Sequence, residues 1–304
     1  MDIYLPIANL AVNGWVILAL GLVTGALSGI FGVGGGFLTT PLLIFYGVPP
    51  TVAAASAASQ VTGASVSGVL GHSRRGGVDY QMGGVMIFGG IIGAGIGAVL
   101  FNALTALGQI DTVINILYVV LLGTIGTLMA RESIEGLTAR RLGFRRKTQK
   151  RRHHRLVAAL PYRWRFYKSG LYISPLAPLL LGLVIGILTM LMGVGGGFIL
   201  VPAMLYILGM SAGVVVGTSL FQILFTTMAT TIMHSLTTHA VDIVLATILL
   251  FGSVTGAQLG TRLAQNARPE VLRLALAAIV LAVALNMAFR LGVRPSEVYS
   301  AVPL

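Results

Sequence analysis

Two glycine runs are the part of this sequence best suited to bind a ligand through its backbone. The first is GVGGG at residues 32–36, closed by Pro41, and the second is GVGGG at residues 193–197, closed by Pro202. Both lie between apolar stretches. Because glycines inside a helix are costly, we expect the backbone to leave the helix here and to offer its N–H and C=O groups to a ligand.

A helix that begins after each glycine run would provide a site for a small oxyanion. Its first N–H groups lack partners within the helix, and the helix dipole places about half a positive charge there. Such an end binds an anion without a basic side chain. The predicted substrate-binding residues of this kind are Gly34, Gly35, Gly36, Thr39 and Thr40 in the first copy, and Gly195, Gly196 and Gly197 in the second.

The alternative role for these glycines is close packing of helices, which membrane proteins achieve with small residues. Gly25 and Gly29 have the four-residue spacing of that use, and we assign them to packing. Packing needs spaced rather than consecutive glycines, so we assign the triple glycines to ligand binding.

Two glutamines in otherwise apolar segments are the strongest side-chain candidates for the same site. Gln60 and Gln222 are separated by 162 residues and stand at equivalent positions of the two halves of the chain. A side-chain amide donates through its NH₂ group to a sulfite or sulfonate oxygen. Ser219, close to Gln222, adds a hydroxyl group. The alternative is that these side chains join helices by hydrogen bonds.

Two histidines, His72 and His234, are also separated by 162 residues. A histidine near a membrane surface can carry a proton during coupled anion transport. The alternative, which we favour, is a histidine that snorkels at a helix end. His239 lies five residues after His234, which is a poor spacing for a helical metal pair, so we predict no metal site and no cofactor.

The composition indicates a multi-pass helical membrane protein. The chain has 304 residues, of which 56% are hydrophobic and 9% charged, whereas a soluble domain carries roughly a quarter charged residues. Its apolar runs are continuous rather than alternating, which favours helices over a β-barrel. The absence of cysteine excludes disulfides, thiolate metal sites and a sulfur nucleophile.

The net charge of +12 is concentrated in one segment. Residues 131–168 hold thirteen Lys and Arg against two Glu, which is typical of a cytoplasmic loop beside anionic headgroups rather than of a nucleic-acid site. We therefore divide the chain into a first membrane repeat at residues 1–130, a basic cytoplasmic loop at 131–170, and a second membrane repeat at 171–304.

The distribution of basic residues favours inverted repeats, each with a first segment that is broken at the glycines and re-entrant. Arg74 and Arg75 lie in a loop of the first half, and the equivalent turn of the second half has no Lys or Arg. Inversion requires an odd number of crossings in each half, which a re-entrant first segment supplies. Arg290 and Arg294 count against inversion, and a parallel arrangement of the repeats is the alternative.

The doubled glycine motif resembles that of the TauE/SafE sulfite exporter family of membrane transporters. The resemblance is carried by Gly25, Gly29 and Pro41 around the first run, by Gly186 and Pro202 around the second, and by the later glycines Gly217, Gly252, Gly256 and Gly260. It implies a transporter in the bacterial inner membrane that moves sulfite, organosulfonates or other small organic anions.

We therefore expect a secondary transporter that holds a small oxyanion at the membrane midplane with glycine turns and neutral polar side chains. Its expected partners are the anion and the lipid bilayer, and no nucleic acid is expected. The sequence does not decide whether the protein forms an oligomer. A passive anion channel and a permease for small organic carboxylates are the alternatives. No buried carboxylate pair, Gly-x-Ser-x-Gly motif or metal motif occurs, so we do not expect an enzyme.

Overall fold

The computed structural model describes residues 2–31, 36–141, 161–266 and 269–292, which form ten α-helices and two short antiparallel β-hairpins. The helices are α1 (Gly14–Phe31), α2 (Gly36–Phe45), α3 (Pro50–Arg74), α4 (Tyr80–Ala106), α5 (Ile110–Arg141), α6 (Leu176–Met192), α7 (Gly197–Tyr206), α8 (Ala212–Met233), α9 (Ile243–Asn266) and α10 (Pro269–Gly292), and a π-helical turn at His234–Thr238 extends α8. The hairpins pair β1 (Asp2–Leu5) with β2 (Leu10–Asn13) and β3 (Trp164–Phe166) with β4 (Leu171–Ile173).

Five helical stretches of the described residues are long and apolar enough to cross a membrane. They are Tyr80–Ala106, Ile110–Glu135, Gly213–Thr238, Ile243–Gly260 and Leu274–Gly292. Large apolar side chains such as Phe88, Phe251 and Phe289 are more than 60% exposed on these helices, as expected of surfaces that contact lipid. The prediction of an all-helical, multi-pass membrane protein is confirmed.

The second glycine run breaks a helix as predicted. α6 ends at Met192 and α7 begins at Gly197, and between them Gly193, Gly195 and Gly196 have φ angles of 70°, 72° and 74°. Residues with a Cβ rarely adopt such angles, so glycine is required at these positions. In the first half α1 ends at Phe31 and α2 begins at Gly36, while residues 32–35 lie outside the described part of the chain.

Each broken pair of helices turns back toward the end of the molecule where it began. The backbone N–H of Asn13, just before α1, donates to the hydroxyl of Tyr46, just after α2, at 3.1 Å. In the second half Phe166 and Leu171, which precede α6, share a core cluster with Met204 on α7 and with Leu208 after it. Both pairs therefore follow a re-entrant course.

The two halves of the chain are packed into each other. α1 packs along α9, and α4 along α6, while α3 pairs with α8 and α5 with α10. A Cβ at Gly25 or Gly29 would overlap the backbone of Ser253 or Ala257, in agreement with the packing role expected of these two glycines. The organisation as two inverted repeats stays a prediction. Two inverted repeats would pair the helices of one half with those of the other in this way.

Each hairpin is joined to a helix of the other half of the chain by one buried aspartate. The Asp79 carboxylate at the start of α4 accepts from the N–H of Ser169 at 3.0 Å, and that of Asp242 at the start of α9 accepts from the N–H of Ile7 at 3.2 Å. The hairpins were not predicted. The predicted boundary between residues 170 and 171 falls inside the β3–β4 hairpin, and the three-part division of the chain stays a prediction.

The two ends of the helical bundle differ in charge. We name the basic end as the one where α3 ends at Arg74 and Arg75 follows, and where α4 and α6 begin. At the opposite end, the far end, α1 and α9 begin and α2 ends. Arg290 on α10 lies at the far end, with its guanidinium carbon 5.0 Å from the centre of the Phe45 ring. Residues 142–160 of the predicted basic loop lie outside the described residues.

Candidate functional site

A cavity of about 290 Å³ lies between α1, α3, α8 and α9. Arg75 lines it at the basic end, and Gln60 lines it near the middle of α3. At a rise of 1.5 Å per helical residue, the two residues are about 22 Å apart along the axis of α3. Among the described residues that line the cavity, none is a carboxylate. The polar lining consists of Ser28, Gln60, Ser65, Ser67, His72, Arg75, Ser253 and Gln258.

Gln60 is the polar side chain at the inner part of this cavity. Its side chain is only 1% exposed, and its Oε1 is buried without a hydrogen-bond partner. An unsatisfied buried polar group costs about 1–3 kcal/mol. Rotation of the amide by half a turn exchanges its oxygen and its NH₂ group, so Gln60 can present either a donor or an acceptor to a ligand in the cavity.

Gly36 and residues 193–197, the described part of the two glycine breaks, meet next to the cavity but are not among its described lining residues. The rings of Phe37 and Phe198, the first residues after each run, stack with their centres 4.4 Å apart. Val61, which does line the cavity, stands against both breaks: a Cβ at Gly195 would lie 2.6 Å from its Cγ1, and a Cβ at Gly36 would overlap its Cγ2. One valine side chain therefore separates the cavity from the glycine turns.

Most of the predicted substrate-binding residues are buried away from the cavity. The hydroxyl of Thr40 donates to the carbonyl of Met192 at 3.3 Å, and the hydroxyl of Ser219 to that of Val216 at 2.9 Å. The Gln222 amide donates to Thr226 at 2.9 Å. Gly34 and Gly35 lie outside the described residues; Gly36, Thr39, Gly195, Gly196 and Gly197 are buried.

The two predicted proton-coupling histidines have different surroundings. His72 is half-buried and lines the cavity. His234 is 0% exposed, with Nε2 at 2.9 Å from the carbonyl oxygen of Met190 and Nδ1 at 3.1 Å from the Thr238 hydroxyl. The snorkelling alternative is therefore wrong for His234, because its imidazole is fully buried and hydrogen-bonded on both ring nitrogens, although Leu236 in the same turn is exposed.

The region of α8 that corresponds to the cavity wall on α3 is polar but closed. Gln222, Thr226, Thr230 and His234 are all 0% exposed. Gln222 Oε1 and Thr230 Oγ1 are buried without a hydrogen-bond partner. The cavity is thus present on one side of the molecule, toward the basic end, and its counterpart toward the far end is packed shut.

Six polar residues of the cavity wall were not predicted as site residues: Ser28, Ser65, Ser67, Arg75, Ser253 and Gln258. Arg75 was used only as a charge that indicates topology. Ser28 and Ser253 adjoin Gly29 and Gly252, members of the packing stripes of α1 and α9. A serine next to such a glycine stripe could have indicated a cavity-lining residue, because small side chains leave room for a cavity.

Comparisons with known proteins agree with the earlier resemblance. The family model described as Sulfite exporter TauE/SafE matches residues 17–287. The chain is 29% identical over 271 residues to "Probable membrane transporter protein YjnA" of Bacillus subtilis (strain 168), covering 89% of this chain and 98% of that protein. It is 28% identical over 257 residues to "Probable membrane transporter protein YunE" of the same organism, covering 81% and 86%. No solved structure matches. The chain belongs to the TauE/SafE sulfite exporter family, and it is a multi-pass membrane transporter.

Proposed function

We propose that this protein is a secondary transporter that moves a small oxyanion, such as sulfite or a short organosulfonate, across the bacterial inner membrane. The observation that carries the proposal is Gln60, a buried amide with an unsatisfied polar atom in a cavity that has no carboxylate among its described lining residues. Hydroxyl groups on three helices accompany it. Such a lining offers hydrogen-bond donors to an anion and no fixed negative charge to repel it.

The size of the cavity supports a small substrate. A volume of about 290 Å³ far exceeds the roughly 10–15 Å³ that a cavity needs to hold one water molecule. An anion of a few heavy atoms fits together with some of its water, so the anion need not lose its whole hydration shell. Neutral donors hold such an ion moderately, which suits release at the other side of the membrane.

The glycine turns complete the proposed site in a conformation in which Val61 has moved aside. No side chain caps the start of α7 at Gly196, so its first-turn N–H groups suit an oxyanion. In this proposal Gly34, Gly35 and Gly36 contribute in the same way from the first half. In the same proposal Thr39, Thr40, Ser219 and Gln222 supply neutral polar groups, and His72 and His234 are the candidates for proton coupling.

The closed region around His234 favours a carrier over a passive channel. A channel needs a continuous path, whereas here the polar residues of α8 toward the far end are fully buried. A permease for small carboxylates would use the same donors. These functions are separated by the substrate that binds and by whether its flux depends on an ion gradient.

A ligand panel followed by flux measurement tests the proposal. Thermal shifts of the purified protein with sulfite, sulfonates, sulfate, thiosulfate and small carboxylates identify a ligand, because binding raises the apparent stability. In proteoliposomes, Gln60→Ala should weaken the apparent affinity by about 2- to 150-fold, which corresponds to the loss of a hydrogen bond of about 0.5–3 kcal/mol, the range that spans neutral and charge-assisted bonds.

Gln81→Ala is the matched control, because Gln81 is exposed in the first turn of α4 and does not line the cavity. Its apparent affinity should stay that of the unchanged protein. If no oxyanion stabilises the protein or crosses the membrane, or if Gln60→Ala transports with unchanged affinity, the proposal is wrong.

A further inference from the structure

We propose that Arg75 captures the transported anion at the basic-end mouth of the cavity, before the anion reaches Gln60. The inference rests on the proposed function and extends it, because it adds a charged binding position outside the neutral inner site. Arg75 is the one residue with a fixed charge among the described residues that line the cavity, and it is exposed. A guanidinium group binds two oxygens of a sulfite, sulfonate or carboxylate at once.

The end of α3 fixes the position of Arg75. The N–H groups of Arg75 and Gly77 both donate to the carbonyl of His72, at 3.2 and 3.0 Å, and Gly76 adopts a φ of 67°. A glycine with positive φ after the last turn is a common way to end a helix. These hydrogen bonds also occupy a carbonyl oxygen whose partial negative charge would repel an approaching anion.

Within the described residues, the carboxylate nearest to Arg75 in the sequence is engaged elsewhere. Asp79 is 2% exposed and accepts from the N–H groups of Met82 at 3.1 Å and Ser169 at 3.0 Å. The one ion pair among the described residues joins Arg131 to Glu135. Within that part of the chain no carboxylate neutralises Arg75, so its charge acts on the mouth of the cavity.

The position equivalent to Arg75 at the far end carries no charge. The position that corresponds to Arg75 on the other side, 162 residues later, is Thr237. Low-dielectric walls around a cavity concentrate the field of a charge at its mouth and raise the local concentration of the opposite ion. Capture from the basic end should accordingly be tighter and more sensitive to salt than capture from the far end.

Sulfite uptake into inside-out membrane vesicles tests this role, since the basic end is predicted to be cytoplasmic. Arg75→Gln should raise the KM for sulfite by at least about tenfold, the effect of a lost charge-assisted hydrogen bond. It should leave the maximal rate near that of the unchanged protein and remove most of the dependence of KM on ionic strength. Arg75→Lys should keep the salt dependence and lose part of the affinity, because an ammonium group cannot bind two oxygens in the same planar way.

Arg74→Gln is the matched control. Arg74 carries the same charge one residue earlier, is also exposed, and does not line the cavity, so its KM should stay within about twofold, as for exposed charges in general. The inference is overturned if Arg75→Gln leaves KM and salt dependence unchanged, or if Arg74→Gln alters them equally. If wild-type vesicles take up no oxyanion, the proposed function fails as well. If they do and only Gln60→Ala weakens uptake, the role of Arg75 alone fails.

Discussion

At the inner part of the cavity the chain places a neutral amide where a basic side chain would bind an anion more tightly. Gln60 is nearly inaccessible to solvent, and an unpaired charge buried there would cost several kcal/mol. An amide costs less to bury and releases the anion more easily. The cationic group, Arg75, lies instead at the exposed mouth, where water reduces the cost of its charge.

Gln60→Glu should abolish sulfite transport at neutral pH, because an ionised carboxylate of nearly the same shape repels the anion. A carboxyl group becomes neutral as the pH falls, so transport should partly return. Initial rates in proteoliposomes between about pH 5 and pH 8 measure the effect. Gln81→Glu, on the exposed turn of α4, should keep the original pH profile. Normal transport by Gln60→Glu at the upper pH would exclude anion contact at this position.

Gly196→Val should abolish transport while the protein still inserts into the membrane. The φ angle of 74° at Gly196 disfavours any residue with a Cβ by roughly 1–2 kcal/mol, and the new side chain would overlap Ile185. Gly47→Val is the control, because Gly47 has a φ of 98° but no atom within 4 Å of a Cβ. Flux and the amount of protein in the membrane are compared for both. Equal loss of flux in the two variants would assign the effect to backbone strain alone.

At the scale of elements, α3 and α8 carry equivalent glutamines and histidines but border different environments. The α3 side is open to a cavity, whereas on the α8 side a π-helical turn begins at His234, whose ring lies with its centre 5.0 Å from that of Phe101. The unsatisfied oxygens of Gln222 and Thr230 are polar groups that would gain partners if this side opened to water. Equivalent polar residues therefore line two routes to the centre of the molecule, of which the α3 route is open and the α8 route is closed.

A cysteine introduced at Thr230 should be unreactive toward a membrane-impermeant thiol reagent, and one at Ser67 should react from the basic end. Thr230 is 0% exposed, whereas Ser67 is exposed on the cavity wall. Adding His234→Ala to the Thr230→Cys protein should permit reaction from the far end, because it removes the hydrogen bond to Met190. The natural chain has no cysteine, so each label reports one site. Equal reaction rates at Thr230→Cys and Ser67→Cys would show that the far side is not closed.

The broken helices were predictable because consecutive glycines have a direct cost in a helix, and Gly193, Gly195 and Gly196 have the positive φ angles that only glycine adopts readily. The paired glutamines were visible for a similar reason, since a long amide is expensive in an apolar segment. The side on which the cavity opens was not predictable. Equivalent residues occupy both halves, and the choice between two similar packings depends on a small difference between many contacts.

At the scale of the molecule, the predicted topology places the end of α3 and the end of α4 on opposite sides of the membrane. Ser73→Cys and Thr105→Cys should therefore be labelled from opposite sides by an impermeant maleimide applied to intact cells and to inside-out vesicles. The helical directions support this, since α3 ends at Arg74 beside the start of α4, and α4 runs to Ala106. Labelling of both positions from the same side would exclude the arrangement.

The packing of α1 on α9 has a consequence for how the protein is made. The glycine stripe of α1 fits the backbone of Ser253 and Ala257, which the ribosome adds more than two hundred positions later, on the order of tens of seconds at 5–20 residues per second. Throughout that time the glycine face of α1 must contact lipid or an insertion factor instead of α9. The amino-terminal half translated alone should remain sensitive to protease. When it is translated together with a separate carboxy-terminal half, it should become resistant to protease, because each half supplies helices on which the helices of the other half pack.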